Sequence, residues 1–244
     1  MIIVKEKIRQ LIASKVRDFV RDKIESLNDL TLAKLNINVY LIATLNYKTP
    51  EQVVAFAIDQ FFNRSVVTSF GSFYQELGKM FGKAANIQDI DLVFERERTR
   101  FYVQLKSGPE GFTGPALKKT LDKMVTIKRK EPKCKTIIAF SYGTSDKISK
   151  VWGKELNDAV KKCNLDQILI GRKWWEFVLE DKSGYRTLFD IISKAGMVEQ
   201  GTLHGSTVNL EAAKSDAYKR VLKEWKLKYG DGYNSILKML EDNV

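Results

Sequence analysis

Three polar residues on two short alternating segments have the chemistry of a hard-metal site. Asp91 lies in residues 89–95, and Gln104 and Lys106 lie in residues 101–106; polar and apolar side chains alternate in both segments. Such alternation predicts two strands of a hairpin, and a register that pairs Asp91 with Gln104 or Lys106 puts all three side chains on one face. Mg²⁺ takes one or two carboxylates and completes its shell with water and substrate phosphate. A neighbouring lysine stabilises a pentavalent phosphorane or lowers the pKa of the attacking water.

The same residues also have ordinary structural interpretations. A Lys or Gln on the face of an edge strand is commonly solvated, and Asp89 or Asp91 equally suits a turn or an ion pair with Arg98 or Arg100. The joint pattern favours the metal site, because an acid, a hairpin, the run Q-L-K-S-G-P, a Gly-rich loop and a basic helix follow one another.

The excess of positive charge is concentrated beside this hairpin. The 244 residues carry 41 Lys and Arg against 30 Asp and Glu, a formal net charge of +11. Twelve Lys and Arg and four Asp and Glu fall between Arg96 and Lys135, so this stretch alone carries +8. It contains the Gly-rich loop 107–114, and a basic stretch beside such a loop is the electrostatic footprint of phosphate-backbone binding. Basic helices also occur on proteins that bind no anion, so charge alone does not decide the function.

Composition excludes several classes of protein. Hydrophobic residues make up 44% and charged residues 29%, an ordinary globular balance. No run approaches the roughly 18 consecutive apolar residues of a membrane span, and the opening MIIVKEKIRQ carries charge too early for a secretory signal. Cys134, Cys163 and the lone His204 do not supply a disulfide framework or a two-histidine metal site. We therefore expect a cytoplasmic protein with no membrane association and an anionic partner.

Hydrophobic periodicity predicts helices at both ends of the chain and a central region that contains helices and strands. Helical spacing predicts helices over residues 4–27, 30–45, 51–62, 69–81, 115–131, 147–162, 172–179, 185–194 and 210–229. A polar connection is expected at 199–207, and short apolar runs at 136–141 and 167–170 predict two buried strands. The order β-β-α-β-α-β predicts an α/β fold with a mixed central sheet flanked by helices, a helical N-terminal region and a C-terminal helix.

Three stretches together resemble the PD-(D/E)XK nuclease superfamily. I-D-L-V-F at 90–94 followed by F-Y-V-Q-L-K-S-G-P at 101–109 is similar to its metal-binding hairpin, most of all in type II restriction endonucleases. I-G-R-K-W-W-E-F at 170–177 is similar to the segment after the last core strand of these enzymes. T-S-F-G-S-F-Y-Q-E-L at 68–77 resembles the helix before the hairpin, so the similarity covers about residues 66–195.

The resemblance implies a role for each matching residue. Asp91 would be the bridging metal carboxylate, Lys106 the catalytic lysine and Mg²⁺ the cofactor. Gln104 stands where the superfamily more often has Glu or Asp, and a neutral amide is a poorer Mg²⁺ ligand. Either Gln104 binds through its carbonyl oxygen or Glu76 supplies the missing charge. Asp89, on the same strand face as Asp91, is a third candidate ligand.

A restriction enzyme of this kind would hydrolyse double-stranded DNA at a short palindromic site, and the resemblance points to the GGNCC type. Two-fold symmetric DNA favours a homodimer. The expected DNA contacts lie on the loop and the basic helix: Ser107, Phe112, Thr113, Lys118, Lys119 and Lys123. The expected parts are residues 1–68 for dimerisation or DNA contact, 69–195 for the nuclease core and 196–244 for a helical extension.

Two other functions stay open from the sequence. Gln104 favours a non-catalytic DNA-binding protein on a nuclease-like scaffold. A structure-specific repair nuclease shares the metal chemistry but not the site specificity. The adjacent Trp174 and Trp175 are expected on a helix, with one ring buried against the sheet and the other partly exposed.

Overall fold

The computed structural model describes residues 6–108, 111–162, 165–202 and 209–242. Pro109 in the Gly-rich loop, Cys163 and His204 lie outside the described residues, as does the predicted connection beyond residue 202. The helices are α1 (Glu6–Asn28), α2 (Val39–Thr44), α3 (Pro50–Lys79), α4 (Gly114–Lys130), α5 (Ser145–Lys162), α6 (Arg172–Leu179), α7 (Gly184–Thr202), α8 (Leu210–Tyr229) and α9 (Gly232–Asp242). The strands are β1 (Lys83–Ile87), β2 (Ile90–Arg96), β3 (Thr99–Lys106), β4 (Lys135–Phe140) and β5 (Gln167–Ile170).

The five strands form one sheet in the order β1-β2-β3-β4-β5. Strands β1, β2 and β3 pair antiparallel, whereas β3, β4 and β5 pair parallel. This confirms the mixed α/β sheet flanked by helices. The prediction omitted β1, because its sequence K-A-A-N-I lacks a clear alternation of polar and apolar residues. The pairing of β1 with β2 is also irregular, with a register shift between Ala84 and Ile87.

The chain folds into two compact units. Unit 1 comprises Met1–Ile12 and Phe70–Ile191 and contains the whole sheet. Unit 2 comprises Ala13–Ser69 and Ile192–Val244 and is built from helices in its described part. The three parts expected from the sequence stay predictions about functional modules.

In unit 1 both faces of the sheet are covered. One face packs against α3, where Gly78 lies so close to the sheet that an added Cβ would stand 2.7 Å from Leu92 Cδ1. The other face packs into a hydrophobic core with α4, to which Leu117, Leu121 and Met124 contribute. A central strand of this sheet can therefore present polar chemistry only near its ends.

The two adjacent tryptophans are both core residues. Trp174 is fully buried and Trp175 is 6% exposed, so the expectation of one partly exposed ring is wrong. Trp175 Nε1 donates to the carbonyl of Ser141 at 3.0 Å, which satisfies the polar end of the ring inside the core. Trp174 packs against Phe94 and Phe177 instead.

Unit 2 has its own core. Helices α1, α3 and α8 bury Ile24, Leu27, Val53, Val54 and Trp225 together. The apolar residues of α1 that lie in unit 2 therefore serve this core. Trp225 Nε1 donates to Ser235 Oγ at 3.0 Å, which ties α8 to α9.

Several predicted helix boundaries are wrong, because tertiary packing overrides weak local preferences. Helix α3 is one element of 30 residues that runs through the polar, β-branched segment 63–69, where two helices were expected. Residues 30–45 contain only a 3-10 turn at Leu32–Lys34 and the short α2, which Asn38 caps by accepting from Leu41 N–H. Helix α7 continues to Thr202, into the stretch expected as a polar connection, and α9 follows Gly230, beyond the last helix predicted.

Candidate functional site

The candidate site begins where the β2–β3 ladder ends. The backbone register pairs Leu92 with Val103, so the next step places Asp91 opposite Gln104, one of the two predicted registers. At this position the Asp91 carboxylate, and not a backbone carbonyl, accepts the hydrogen bond from the β3 backbone. Its Oδ2 accepts from Leu105 N–H at 2.9 Å and from Gln104 Nε2 at 2.6 Å.

The second Asp91 oxygen is held less tightly. Gln75 Nε2 donates to Oδ1 at 3.5 Å, the long limit for a hydrogen bond. Burial raises the pKa of Asp91 above its ordinary value, while the Leu105 N–H and the positive charges of Lys106 and Lys79 oppose the rise. A half-buried carboxylate with one weakly bonded oxygen gains from a cation placed against that oxygen.

Gln104 supplies a second oxygen at the same place. Its side chain is 4% exposed, and Oε1 is buried without a hydrogen-bond partner in the part of the chain that the structure describes. A buried acceptor without a donor costs about 1–3 kcal/mol. One carboxylate oxygen and one orphaned amide oxygen are hard donors that fit Mg²⁺, which fills its other positions with water and phosphate oxygens.

Glu76 and Asp89 make other contacts. Glu76 Oε1 pairs with Lys79 Nζ at 2.7 Å, and Asp89 Oδ2 pairs with Lys119 Nζ at 3.3 Å. No group of three or more His, Cys, Asp or Glu side chains in the described residues is arranged to hold a metal, so Asp91, Glu76 and Asp89 form no carboxylate cluster. Sequence reasoning missed Gln75, although it is the neighbour of Glu76 in the matched stretch.

Lys106 is positioned by its backbone and its stem. Ser141 N–H donates to the Lys106 carbonyl at 2.8 Å, which extends the β3–β4 pairing past the end of β4. The ammonium lies 4.9 Å from the centroid of the Phe112 ring, within range of a cation–π interaction. Gly111 lies against the stem, since an added Cβ would stand 2.9 Å from Lys106 Cβ.

Phe112 is a support for Lys106 and not a surface residue. It is 6% exposed and packs edge to face against Phe140 and Trp152. That burial leaves little ring surface exposed and places the ring against Lys106, and the DNA contact expected through Phe112 stays a prediction.

The other predicted DNA-contacting residues lie at or near the surface. Thr113 is exposed and caps α4, with its Oγ1 accepting from Ala116 N–H at 3.4 Å. Ser107 is half-buried, Lys118 and Lys119 are exposed, and Lys123 is half-buried one turn after Lys119. Lys118 and Lys119 lie on the exposed side of α4, away from its buried residues.

Part of the positive charge around the hairpin is structural. Arg96 donates to the carbonyls of Phe177 and Val178 at the end of α6 and pairs with Glu180 at 2.6 Å. Lys128 and Lys135 both pair with Asp166, and Arg100 pairs with Glu131. The exposed Lys118, Arg129, Lys130 and Lys133 form no ion pair among the described residues, so part of the charge of this stretch faces solvent along α4 and just after it.

Comparison with known proteins identifies the family. The family of type II restriction endonuclease EcoO109I matches residues 6–198. This chain belongs to that family. The match contains the hairpin, the α3 stretch and the α6 stretch, and confirms the resemblance to type II restriction endonucleases. No curated protein matches the chain.

Membership in the restriction-endonuclease family makes the chain a site-specific endonuclease that binds DNA. None of the helices in the described ranges is long and apolar enough to cross a membrane. In such an enzyme the splayed end of the β2–β3 hairpin, with Asp91, Gln104 and Lys106, is the candidate active site.

Tyr142 is an exposed aromatic residue that sequence reasoning missed at this restriction-endonuclease site. Its N–H donates to the carbonyl of Ser107 at 3.0 Å, and its ring covers Gly108, where an added Cβ would stand 2.4 Å from Cζ. The side chain is nevertheless 48% exposed. The only local signal was a tyrosine directly after a buried strand, and only the β3–β4 pairing places it beside the Lys106 loop.

Gly111→Ala should slow DNA cleavage by roughly ten- to a hundredfold, because its Cβ displaces the stem of Lys106 and misplaces the ammonium. Single-turnover cleavage of plasmid measures the rate, and a gel-shift assay measures DNA affinity, which should stay close to that of wild type. Gly114→Ala is the matched control, since nothing lies within 4 Å of its Cβ position. Equal rates for the two variants would contradict the positioning of Lys106 by Gly111.

Proposed function

We propose that this chain is a Mg²⁺-dependent endonuclease that hydrolyses phosphodiester bonds of double-stranded DNA at a specific short palindromic site. The observation that carries the proposal is the convergence of Asp91, the orphaned Gln104 Oε1 and Lys106 at the end of the β2–β3 hairpin. Family membership supports the endonuclease activity on DNA.

Asp91 Oδ1 and Gln104 Oε1 are the oxygens that would hold Mg²⁺. When bound, the ion supplies Lewis-acid polarisation of the scissile phosphate and favours deprotonation of water. The hydrogen bonds from Leu105 N–H and Gln104 Nε2 fix the other Asp91 oxygen, so that the carboxylate cannot turn away from the site. Glu76 remains a proposed contributor through a water or a rotated side chain, because its Oε1 is engaged by Lys79.

Lys106 supplies a positive charge that does not depend on the metal. Its ammonium orients the attacking water and stabilises the charge that develops on the phosphorane. In-line attack then leaves a 5′-phosphate and a 3′-hydroxyl. Phe112 and Gly111 keep the ammonium in place through their contacts with the ammonium and the stem.

Backbone binding is proposed for the surface beside this site. Lys118, Lys119 and Lys123 would contact phosphates, and Ser107 and Thr113 would border the groove. These contacts position the duplex but do not read its sequence. A palindromic site of the GGNCC type would be read by two copies of the chain related by a two-fold axis, so we propose a homodimer.

Incubation with a sequenced plasmid tests the proposal. Discrete fragments that require Mg²⁺ and carry 5′-phosphate ends are expected. Random nicks or cuts confined to branched DNA would favour a structure-specific nuclease, and DNA binding without any cleavage would favour a non-catalytic protein. A protein prepared in parallel with Lys106→Met controls for contaminating nucleases.

The non-catalytic alternative depends on Gln104, and Gln104→Glu addresses it directly. A second carboxylate should lower the Mg²⁺ concentration for half-maximal cleavage by roughly tenfold, because affinity rises with ligand charge. Without metal the variant should have a lower Tm, since a donor at 2.6 Å from Asp91 becomes a like charge.

Gln75→Glu is the matched control for Gln104→Glu, because it adds the same charge near Asp91 from α3. If both variants change the Mg²⁺ requirement equally, Gln104 has no special role as a ligand. Titration of cleavage against Mg²⁺ and melting with and without the metal give the two readouts.

A further inference from the structure

Unit 2 contains a basic pocket of about 430 Å³ beside the part of α3 that precedes residue 70. Its charged lining consists of Lys34 and Arg64, and its hydroxyl lining consists of Ser65, Thr68 and Ser69. None of the residues described as lining it is an Asp or Glu. The lining therefore offers cations and hydrogen-bond donors to an anion, with no carboxylate to compete.

A buried lysine lies behind two of these hydroxyls. Lys23 on α1 is 7% exposed, and its Nζ donates to Ser69 Oγ at 2.6 Å, to Ser65 Oγ at 2.9 Å and to the Ser65 carbonyl at 3.4 Å. No ion pair joins it to a carboxylate in the part of the chain that the structure describes. Burial lowers the pKa of Lys23, and the charge of Asp22 only partly opposes that. A buried ammonium held by neutral oxygens alone is costly to the fold.

The buried charge also determines how the two hydroxyls can bond. A serine oxygen that accepts from an ammonium keeps its own proton to donate. Neither Ser65 nor Ser69 donates that proton to an acceptor among the described residues. Lys23 thus leaves both hydroxyls as donors on the pocket wall, next to the guanidinium of Arg64.

Arg64 and Lys34 add two further positive charges and hydrogen-bond donors to the pocket wall. A guanidinium presents a planar fork of donors that matches two oxygens of a phosphate. Lys34 Nζ donates to the carbonyl of Asp29 at 2.8 Å, which holds it at the pocket with further protons to donate. Three positive charges and two oriented hydroxyls suit a tetrahedral anion of small size.

We propose that this pocket binds one phosphate group of the DNA backbone. Arg64 and Lys34 contact the phosphate oxygens, Ser65 and Ser69 donate to them, and Lys23 supplies the charge behind the hydroxyls. The assignment to DNA rests on the proposed function, whereas inorganic phosphate or a mononucleotide would use the same donors. The contact belongs to unit 2 and is separate from the phosphates held by the lysines of α4 in unit 1.

The salt dependence of binding to a duplex of random sequence tests the proposal with the full chain. Loss of one phosphate contact should reduce the slope of log K against log salt by about 0.9, so Arg64→Ala and Lys34→Ala should each flatten it and weaken binding at low salt by about three- to tenfold. Lys223→Ala is the matched control, because it removes one charge from α8 outside the pocket and should leave the slope within error. Unchanged slopes for Arg64→Ala and Lys34→Ala, or an equal change for Lys223→Ala, would overturn the proposal.

Lys23→Met separates a binding role from a structural one. The neutral side chain removes the buried charge, so Tm should stay equal or rise while the salt slope falls as in Arg64→Ala. A lower Tm with an unchanged slope would mean that Lys23 serves packing alone and would remove it from the site.

Two further arms separate the sources of phosphate and the two proposals. If inorganic phosphate raises Tm in wild type but not in Arg64→Ala, while DNA binding is the same for both, the pocket takes a free phosphate and the DNA assignment is wrong. Cleavage by Lys106→Met reports on the catalytic site independently. Cleavage by Lys106→Met at the wild-type rate would contradict the proposed function and leave the salt slopes unaffected. Unchanged salt slopes for Arg64→Ala and Lys34→Ala would contradict the phosphate pocket and leave cleavage unaffected.

Discussion

Lys106→Met should abolish plasmid cleavage in Mg²⁺, with a loss of roughly 10²–10⁴ in rate, while DNA affinity stays within about threefold of wild type. Methionine keeps an unbranched apolar stem that can occupy the space beside Gly111 and Phe112, so the fold should be unaffected. The missing ammonium removes the charge that orients water and stabilises the phosphorane. Single-turnover cleavage at saturating protein, with a gel shift in the absence of metal, measures the two quantities separately.

Lys118→Met is the matched control for this result. It removes the same charge from an exposed position on α4, so it should weaken DNA binding and leave the rate at saturation unchanged. If both variants cleave as fast as wild type, Lys106 is not catalytic. If both lose affinity without losing the saturated rate, Lys106 is only another phosphate contact.

Asp91→Asn should remove cleavage by roughly 10³-fold or more, because the site loses the carboxylate proposed to hold the metal directly. In wild type, saturating Mg²⁺ should raise Tm by about 2–4 °C, and the variant should lose this rise. Asparagine keeps an oxygen that can accept from Leu105 N–H, so the hairpin end should remain paired. Asp89→Asn is the control, and loss of the Mg²⁺ effect in that variant as well would make Asp89 a ligand.

The stability difference between wild type and Asp91→Asn depends on pH in a defined direction. Burial raises the pKa of Asp91 above its ordinary value of 3.8, so the ionised carboxylate is disfavoured in the folded chain and lowers stability at neutral pH. Without metal, Asp91→Asn should therefore melt at the same or a higher temperature than wild type at pH 7. The difference should shrink as the pH falls through the raised pKa, because wild type then takes up a proton in the folded state. If wild type instead lost stability relative to Asp91→Asn as the pH falls, the pKa of Asp91 would be lowered in the folded chain and not raised.

Each of the two units contains polar groups whose burial costs stability and which a ligand would satisfy. Gln104 Oε1 is a buried acceptor without a partner among the described residues, half-buried Asp91 has one weakly bonded oxygen, and Lys23 is a buried charge held by neutral oxygens. Natural folds leave such groups uncompensated mainly where a ligand supplies the missing partner. The proposals for both units rest on this same reasoning and are tested by different measurements.

The sequence by itself determined the chemistry and the local frame of the candidate site. Period-two alternation defined β2 and β3 well enough to place Asp91, Gln104 and Lys106 on one face, because the side-chain period of a strand leaves few registers that bury the apolar face. The backbone pairing then selected the register that brings Asp91 opposite Gln104. The mixed sheet followed from the order of strands and helices, and the motifs identified the restriction-endonuclease family before any packing was known.

Tertiary structure decided which side chains from other elements contact Asp91, Gln104 and Lys106. A helix period cannot tell whether Gln75 or Glu76 faces Asp91, since adjacent residues differ by only about 100° around the axis, and the orientation of α3 depends on its packing against the sheet. Phe112 was expected at the surface because local sequence does not show that Phe140 and Trp152, far along the chain, would enclose it. Long-range packing likewise brought Lys23 behind Ser65 and Ser69, 42 and 46 residues further along the chain, and no local pattern encodes such a contact.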